Sequence, residues 1–173
     1  MRRIFISITL FVFAVSSFPA QRDAAACFAP VKNSWRGLIP LHSSAADVAR
    51  VVGVEPDEAG GSTSGPYKVE DGEVTFSFIT PSLAKIYHAP VSMVGKVFTI
   101  YVKPSHRMSK EEVSLTREFK RCTEEQNRSH YYFVSDSGLA YQFSRQSNTV
   151  EMIVYQPSKL ESRRLAVNTE CIY

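Results

Sequence analysis

Six short runs of strand character, each bounded by turn residues, constrain this chain more than any other feature. The clearest is Glu73–Phe78, where Val74, Phe76 and Phe78 alternate with Glu73, Thr75 and Ser77. A period of two buries one face of a strand and wets the other. Tyr67–Glu70 precedes it across Asp71-Gly72, a pair suited to a type I′ hairpin turn. Lys96–Lys103 follows, opened by Gly95 and closed by Pro104. The later runs are His130–Val134, Leu139–Ser144 and Thr149–Tyr155, with turns at Asp136-Ser137-Gly138 and Gln146-Ser147-Asn148. Short, turn-linked, half-buried strands point to an antiparallel sheet with one covered face.

Two helices are expected to supply the cover. Ser44 is an N-cap with Asp47 in the first turn, and Val48, Val51 and Val52 form one apolar face before Gly53 and Pro56. Ser109-Lys-Glu-Glu112 is a capping box, with Val113, Thr116 and Phe119–Lys120 continuing at helical spacing. Between the elements, Glu55–Pro66 reads as a flexible loop and residues 80–94, with Pro81 and Pro90, as a long excursion.

The order is therefore helix, three strands, helix, three strands. Ser44-Ala-Ala-Asp-Val48 matches Ser109-Lys-Glu-Glu-Val113, and the Asp71-Gly72 turn matches Asp136-Ser-Gly138. Val97–Ser105 aligns without gaps to Val150–Ser158, with Val, Ile, Pro and Ser identical. The expected fold is α+β: an antiparallel sheet with two short helices on one face, formed by tandem duplication. The division is a first half at 35–105, a second at 106–158 and a tail at 159–173. One detail opposes the duplication. Phe98, Ile100 and Val102 read as inward in the first copy, whereas Val150, Met152 and Val154 do in the second, which calls for a one-residue register slip.

The segment Leu41-His-Ser-Ser-Ala-Ala-Asp-Val-Ala-Arg-Val-Val-Gly-Val-Glu-Pro56 resembles the helix-plus-antiparallel-sheet module of the small barrel-assembly lipoproteins and the β-lactamase-inhibitory proteins. Trp35–Pro56 as a whole resembles a set of uncharacterised bacterial secreted proteins that begin Trp-Arg/Lys-Gly-x-x-Pro-Leu. The resemblance implies helices on one side of a sheet and protein binding by its open face. It transfers no individual functional residue.

The N-terminus carries an address. Arg2 and Arg3 precede the apolar run Ile4–Val15, and Ser16, Ser17, Pro19 and Ala20 follow. This is the layout of a secretory signal peptide, assigned to residues 1–20, with 21–34 as a linker. A twelve-residue helix spans about 18 Å against a hydrocarbon core of roughly 30 Å, so the membrane is touched only in transit. Cleavage after Ser17, with Val15 before it, fits the small-residue pattern; Ala20 has bulky Phe18 two residues before it, and Ala24-Ala25-Ala26 fits but lies far from the apolar run. Ala24-Ala-Ala-Cys27 has the look of a lipid-attachment site, but Gln21-Arg-Asp23 separates it from the apolar run, which argues against a lipid on Cys27.

The formal charge of +3 is mostly this address. Loss of residues 1–20 removes two arginines and no acid, leaving 18 basic against 17 acidic residues. No arginine or lysine cluster interleaved with aromatics appears along the chain, so nucleic acid is not an expected partner. Cys27, Cys122 and Cys171 lack any zinc spacing. In an oxidising compartment they allow one disulfide and one free thiol, and Cys122–Cys171 is the pairing favoured.

No nucleophile elbow, zinc-protease pair, phosphate-binding loop or Ser-x-x-Lys motif is present. His42 and His106 both precede a helix start, so a duplicated fold could bring them together, while His88 and His130 are scattered. No cofactor or metal is expected. Tyrosines remain, since tyrosine on a wet sheet face is enriched at binding surfaces. Tyr87 and His88 in the excursion, and Tyr101 on a strand, are the binding candidates. The reading is a periplasmic or extracellular, non-enzymatic module that binds another envelope or extracellular protein. Two alternatives stay open: an inhibitor of a secreted enzyme acting through residues 80–94, and a small-ligand or catalytic domain around His42 and His106.

Overall fold

A computed structural model describes residues 33–55, 61–122 and 129–165. The elements are α1 (Ala45–Val52), β1 (Thr63–Val69), β2 (Gly72–Phe78), α2 (Pro81–Ile86), a 3-10 turn (Val91–Met93), β3 (Val97–Pro104), β4 (Phe119–Cys122), β5 (His130–Ser135), β6 (Leu139–Ser144), β7 (Val150–Tyr155) and α3 (Lys159–Arg164). The strands form one seven-stranded sheet in the order β1-β2-β3-β7-β6-β5-β4. Every pairing is antiparallel. The fold is α+β. Its centre is the non-local pair β3–β7, with Ile100, Tyr101 and Val102 opposite Tyr155, Val154 and Ile153.

Helix α1 forms where its cap and apolar spacing place it. Ser44 Oγ accepts from the Asp47 amide, and the Asp47 carboxylate accepts from the Ser44 amide at 2.9 Å. Gly53 ends the helix in the left-handed region at φ 78°, its amide donating to the Ala49 carbonyl. Val48 and Ala49 are buried against Trp35, Leu38, Val74, Phe76, Ile100 and Val102, with Val51 and Val52 packed at the margin. The backbone and hydroxyl hydrogen bonds from Ser44 hold the Asp47 carboxyl below its usual value of 3.8, with Arg50 assisting. A depressed folded-state pKa contributes stability above the unfolded value that is lost as pH falls through the folded one. Ser44→Ala is therefore expected to cost about 1 kcal/mol at neutral pH in urea unfolding. The gap from wild type should narrow below pH 3.8; a gap constant into acid would overturn the linkage.

The second expected helix is absent. The Ser109 capping box does form: Ser109 N donates to Glu112 Oε2 at 2.6 Å, and the Glu112 amide to Ser109 Oγ at 3.3 Å. The chain makes only a turn there, breaks at Ser114 (φ 47°) and enters the edge strand β4. A cap nucleates a helix, but packing of an apolar face must sustain it. Here Met108, Val113 and Leu115 are already placed on the sheet, against Tyr131, Phe143 and Val150. Phe119–Cys122 gains a ladder with β5 instead.

Three loop assignments also change. β1 starts at Thr63, within the expected flexible loop, with a register irregularity between Ser64 and Tyr67. The excursion at 80–94 contains α2, which Thr80 caps by accepting from the Leu83 amide at 3.2 Å. The tail begins with α3, capped by Ser158 and Glu161 in a third capping box. The β1–β2 turn is not type I′: Val69 faces Gly72, Glu70 and Asp71 form the loop, and the positive φ (142°) belongs to Gly72 alone.

The expected register slip does not occur. Ile153 and Tyr155, not Met152 and Val154, share the helix-covered face with Ile100 and Val102. A bulge explains the misreading. Gln142 faces Met152 but Phe143 faces Val150, so Glu151 is the extra residue, and Val150 lands on the same face as Ile153. The same irregularity lies in the first half: Ser77 faces Thr99, Phe78 faces Val97, and Phe98 is extra. Residues 98 and 151 are equivalent in the gapless alignment. Ile153 packs in both the α1 cluster and the Phe143 cluster, so one apolar layer runs along this face. The opposite face carries Tyr132, Val134, Ala140 and Val154, with Tyr101, Met152 and Cys122 beside them.

Candidate functional site

The tyrosines singled out in the sequence are partly used for packing. Tyr87 is half-buried and stacks on Phe98, with centroids 5.5 Å apart and planes at 24°. Tyr101 is half-buried opposite Val154. Burial pushes its hydroxyl above the usual tyrosine value, opposed by a hydrogen bond with Thr99 and reinforced by Tyr87. The fold thus brings Tyr87 and Tyr101 within electrostatic reach of each other. His88 stands exposed just beyond α2 in the left-handed region (φ 51°).

The two pre-helix histidines do not meet. His42 lines a cleft with Arg36, Asp47 and Arg50, and its Nε2 lies 3.1 Å from Glu161 Oε1. His106 lines a separate cleft with Lys103, Arg107, Gln142 and Glu151. His130 is held by Glu151 at 2.6 Å. The Glu161 carboxyl is lowered overall: burial raises it, but the Ser158 hydroxyl and amide and His42 together outweigh that cost. Cys122 is disulfide-bonded. Its favoured partner, Cys171, lies outside the described residues, as do Cys27, the signal peptide at 1–20 and most of the linker at 21–34. Among the described residues no group of three His, Cys, Asp or Glu side chains could hold a metal ion. No described helix is long and apolar enough to cross a membrane.

The most distinctive chemistry lies elsewhere, in a cleft of about 380 Å³ over the outer half of the covered face. It is lined by Lys110, Arg121, Tyr131, Phe133, Arg145 and Asn148. Three separate segments deliver the cations. Lys110 comes from the aborted helix turn, Arg121 from β4 and Arg145 from the β6–β7 connection. The Lys110 ammonium sits 4.8 Å from the centroid of Phe133, and the Arg121 guanidinium 4.8 Å from that of Tyr131. Arg145 Nε donates to the His130 carbonyl at 3.1 Å.

The aromatic floor is fixed by packing. Tyr131 stacks on buried Phe143 at 5.2 Å and 11°, and meets Phe133 edge-on at 5.9 Å. The Tyr131 hydroxyl donates to Asn148 Oδ1. Among the described residues no carboxylate lies within ion-pair distance of Lys110, Arg121 or Arg145. Cations placed over ring faces gain roughly 0.5–1 kcal/mol each at such exposed sites. Their remaining donors face water. Guanidinium groups so placed suit a carboxylate or another planar, two-oxygen anion.

Sequence reasoning missed this cleft because its cations are far apart in the chain. No stretch interleaves basic and aromatic residues, yet strand pairing sets Arg121 directly opposite Phe133. The signal that could have found it was the alternation in Phe119–Cys122, which the helical reading of that segment hid. In comparisons with known proteins, no family model, curated protein or solved structure matches this chain.

Proposed function

We propose that this chain is an exported, non-enzymatic module that binds another envelope or extracellular protein. The observation that carries the reading is the Lys110–Arg121–Arg145 cleft: three cations held on an aromatic floor without an intramolecular carboxylate among the described residues. Export is supported by the residues 1–20 pattern and by the disulfide at Cys122, which persists in oxidising compartments. The kinship of Leu41–Pro56 with helix-plus-sheet envelope modules belongs to the same proposal.

A tandem duplication is part of this reading. Three correspondences support it beyond the residue matches. The Val97 amide donates to the Ser43 carbonyl, and the Val150 amide to the Met108 carbonyl, each acceptor preceding a capping box. The bulges at Phe98 and Glu151 coincide. The last strands of the two halves, β3 and β7, meet antiparallel at the sheet centre.

A second reading, inhibition of a secreted enzyme through residues 80–94, draws on a different observation. Ile86 is 64% exposed and Val91 85% exposed, so two large apolar side chains project from that segment. In vivo photo-crosslinking separates the readings. A photoreactive residue at Arg117, exposed on the segment that joins Lys110 to Arg121, is expected to yield a discrete protein adduct, with none from a control position at Glu70. An adduct only from Val91 favours the inhibitor. No protein adduct from either position, or a chain retained in the cytoplasm with residues 1–20 intact, overturns the proposal.

A further inference from the structure

We infer that the Lys110–Arg121–Arg145 cleft receives an acidic, carboxylate-bearing peptide segment of the partner, a deepening that rests on the protein-binding reading above. Charge complementarity names the occupant. Among the described residues the lining has three cations and no acid, while the chain without residues 1–20 is nearly neutral. The positive potential is therefore local and does not extend over the whole surface. A volume of about 380 Å³ lies at the small end of ligand sites, room for a few side chains and not for a long polyanion track.

The floor discriminates further. Single-stranded nucleic acid needs ring faces on which bases stack. Here Lys110 and Arg121 lie over the rings of Phe133 and Tyr131, and Phe143 stacks on Tyr131. The surface presented to a ligand is thus ammonium and guanidinium, which pair with carboxylates by charge-assisted hydrogen bonds. The cleft also borders β4, the last strand of the sheet. An extended segment beside it would present every second side chain to the cations.

The test uses the exported chain and fluorescence anisotropy with a labelled peptide of alternating glutamate and serine. Its glutamine counterpart, inorganic phosphate and a single-stranded oligonucleotide serve as competitors. The glutamate peptide is expected to bind, weakening with added salt, and the glutamine peptide to bind at least about tenfold more weakly. Arg121→Gln and Lys110→Gln should each weaken binding about tenfold or more, whereas Lys68→Gln on β1 should leave it unchanged. Arg145→Lys keeps the charge and controls for the loss of the His130 contact; unchanged melting temperatures verify folding. Equal binding of the two peptides, no binding up to about 1 mM, or indifference to both Gln variants overturns the inference. So does displacement of the peptide by phosphate or oligonucleotide at lower concentration than by unlabelled peptide. A protein adduct at Arg117 without peptide binding would remove the acidic ligand and leave the protein-binding reading standing.

Discussion

Phe143→Ala is expected to destabilise the protein by about 3–5 kcal/mol, a large part of a typical domain stability of 5–15 kcal/mol. Phe143 is fully buried in β6. It stacks on Tyr131, meets Phe133 edge-on at 5.7 Å and packs with Val113 and Val150. Truncation removes apolar burial and also leaves a cavity, because the sheet holds the neighbouring rings by backbone pairing on both sides. Urea unfolding should show a lower midpoint with an unchanged slope. It should also remain a single transition, because Ile153 joins this cluster to the one beneath α1. Two resolved transitions would mean that the halves unfold separately. Since Phe143 backs Tyr131, the variant should bind the glutamate peptide less well even under folding conditions.

Gly138→Ala is expected to cost on the order of 3 kcal/mol or more, combining backbone strain with a collision. Gly138 is buried in the β5–β6 turn at φ 97°, where L side chains are strained. Its amide donates to the Ser135 carbonyl, and its carbonyl accepts from the Gln156 amide, both at 3.0 Å. A Cβ there would collide with the Gln156 carbonyl oxygen and stand 2.9 Å from that of Pro157. That Gln156 oxygen also accepts from Asn33 Nδ2 at 2.6 Å, so relief of the clash would disturb the entering chain too. Gly95 supplies the comparison. It has φ 81°, but no atom lies within 4 Å of the place an added methyl would take, so Gly95→Ala should show the strain alone, about 1–2 kcal/mol. Equal losses at the two positions, read from urea midpoints, would refute the collision.

What could be read along the chain was governed by local patterning. Val74, Phe76 and Phe78 declare a strand because side-chain alternation is a property of any extended backbone. Ser44, Asp47 and Gly53 declare both ends of α1 because a cap is satisfied within its own turn. The same logic applies at Ser158 and Glu161, where a capping box marks α3 inside a segment that otherwise reads as a tail. It misleads at Ser109, because a satisfied cap does not decide whether a helix continues.

The bulges at Phe98 and Glu151 were out of reach for another reason. An unpaired residue exists only relative to a partner strand, so the apolar order within Val150–Tyr155 alone points Val154 inward and Ile153 outward. The binding candidates follow the same division. Tyr101 was recognisable as a strand tyrosine, but its half-burial opposite Val154 depends on the central β3–β7 pair.

The amino-acid order by itself determined an antiparallel α+β domain, the positions of β2, β3, β5, β6 and β7, and helix α1, because each rests on contacts among near neighbours. Only the tertiary structure decided the strand order, the face each side chain occupies and the fate of Ser109–Lys120. It also decided the cleft. Lys110, Arg121 and Arg145 become one charged group only when β4 pairs with β5 and the β6–β7 connection folds beside them. Charge density is a property of space, and the chain reaches that arrangement through non-local hydrogen bonds that its linear pattern does not encode.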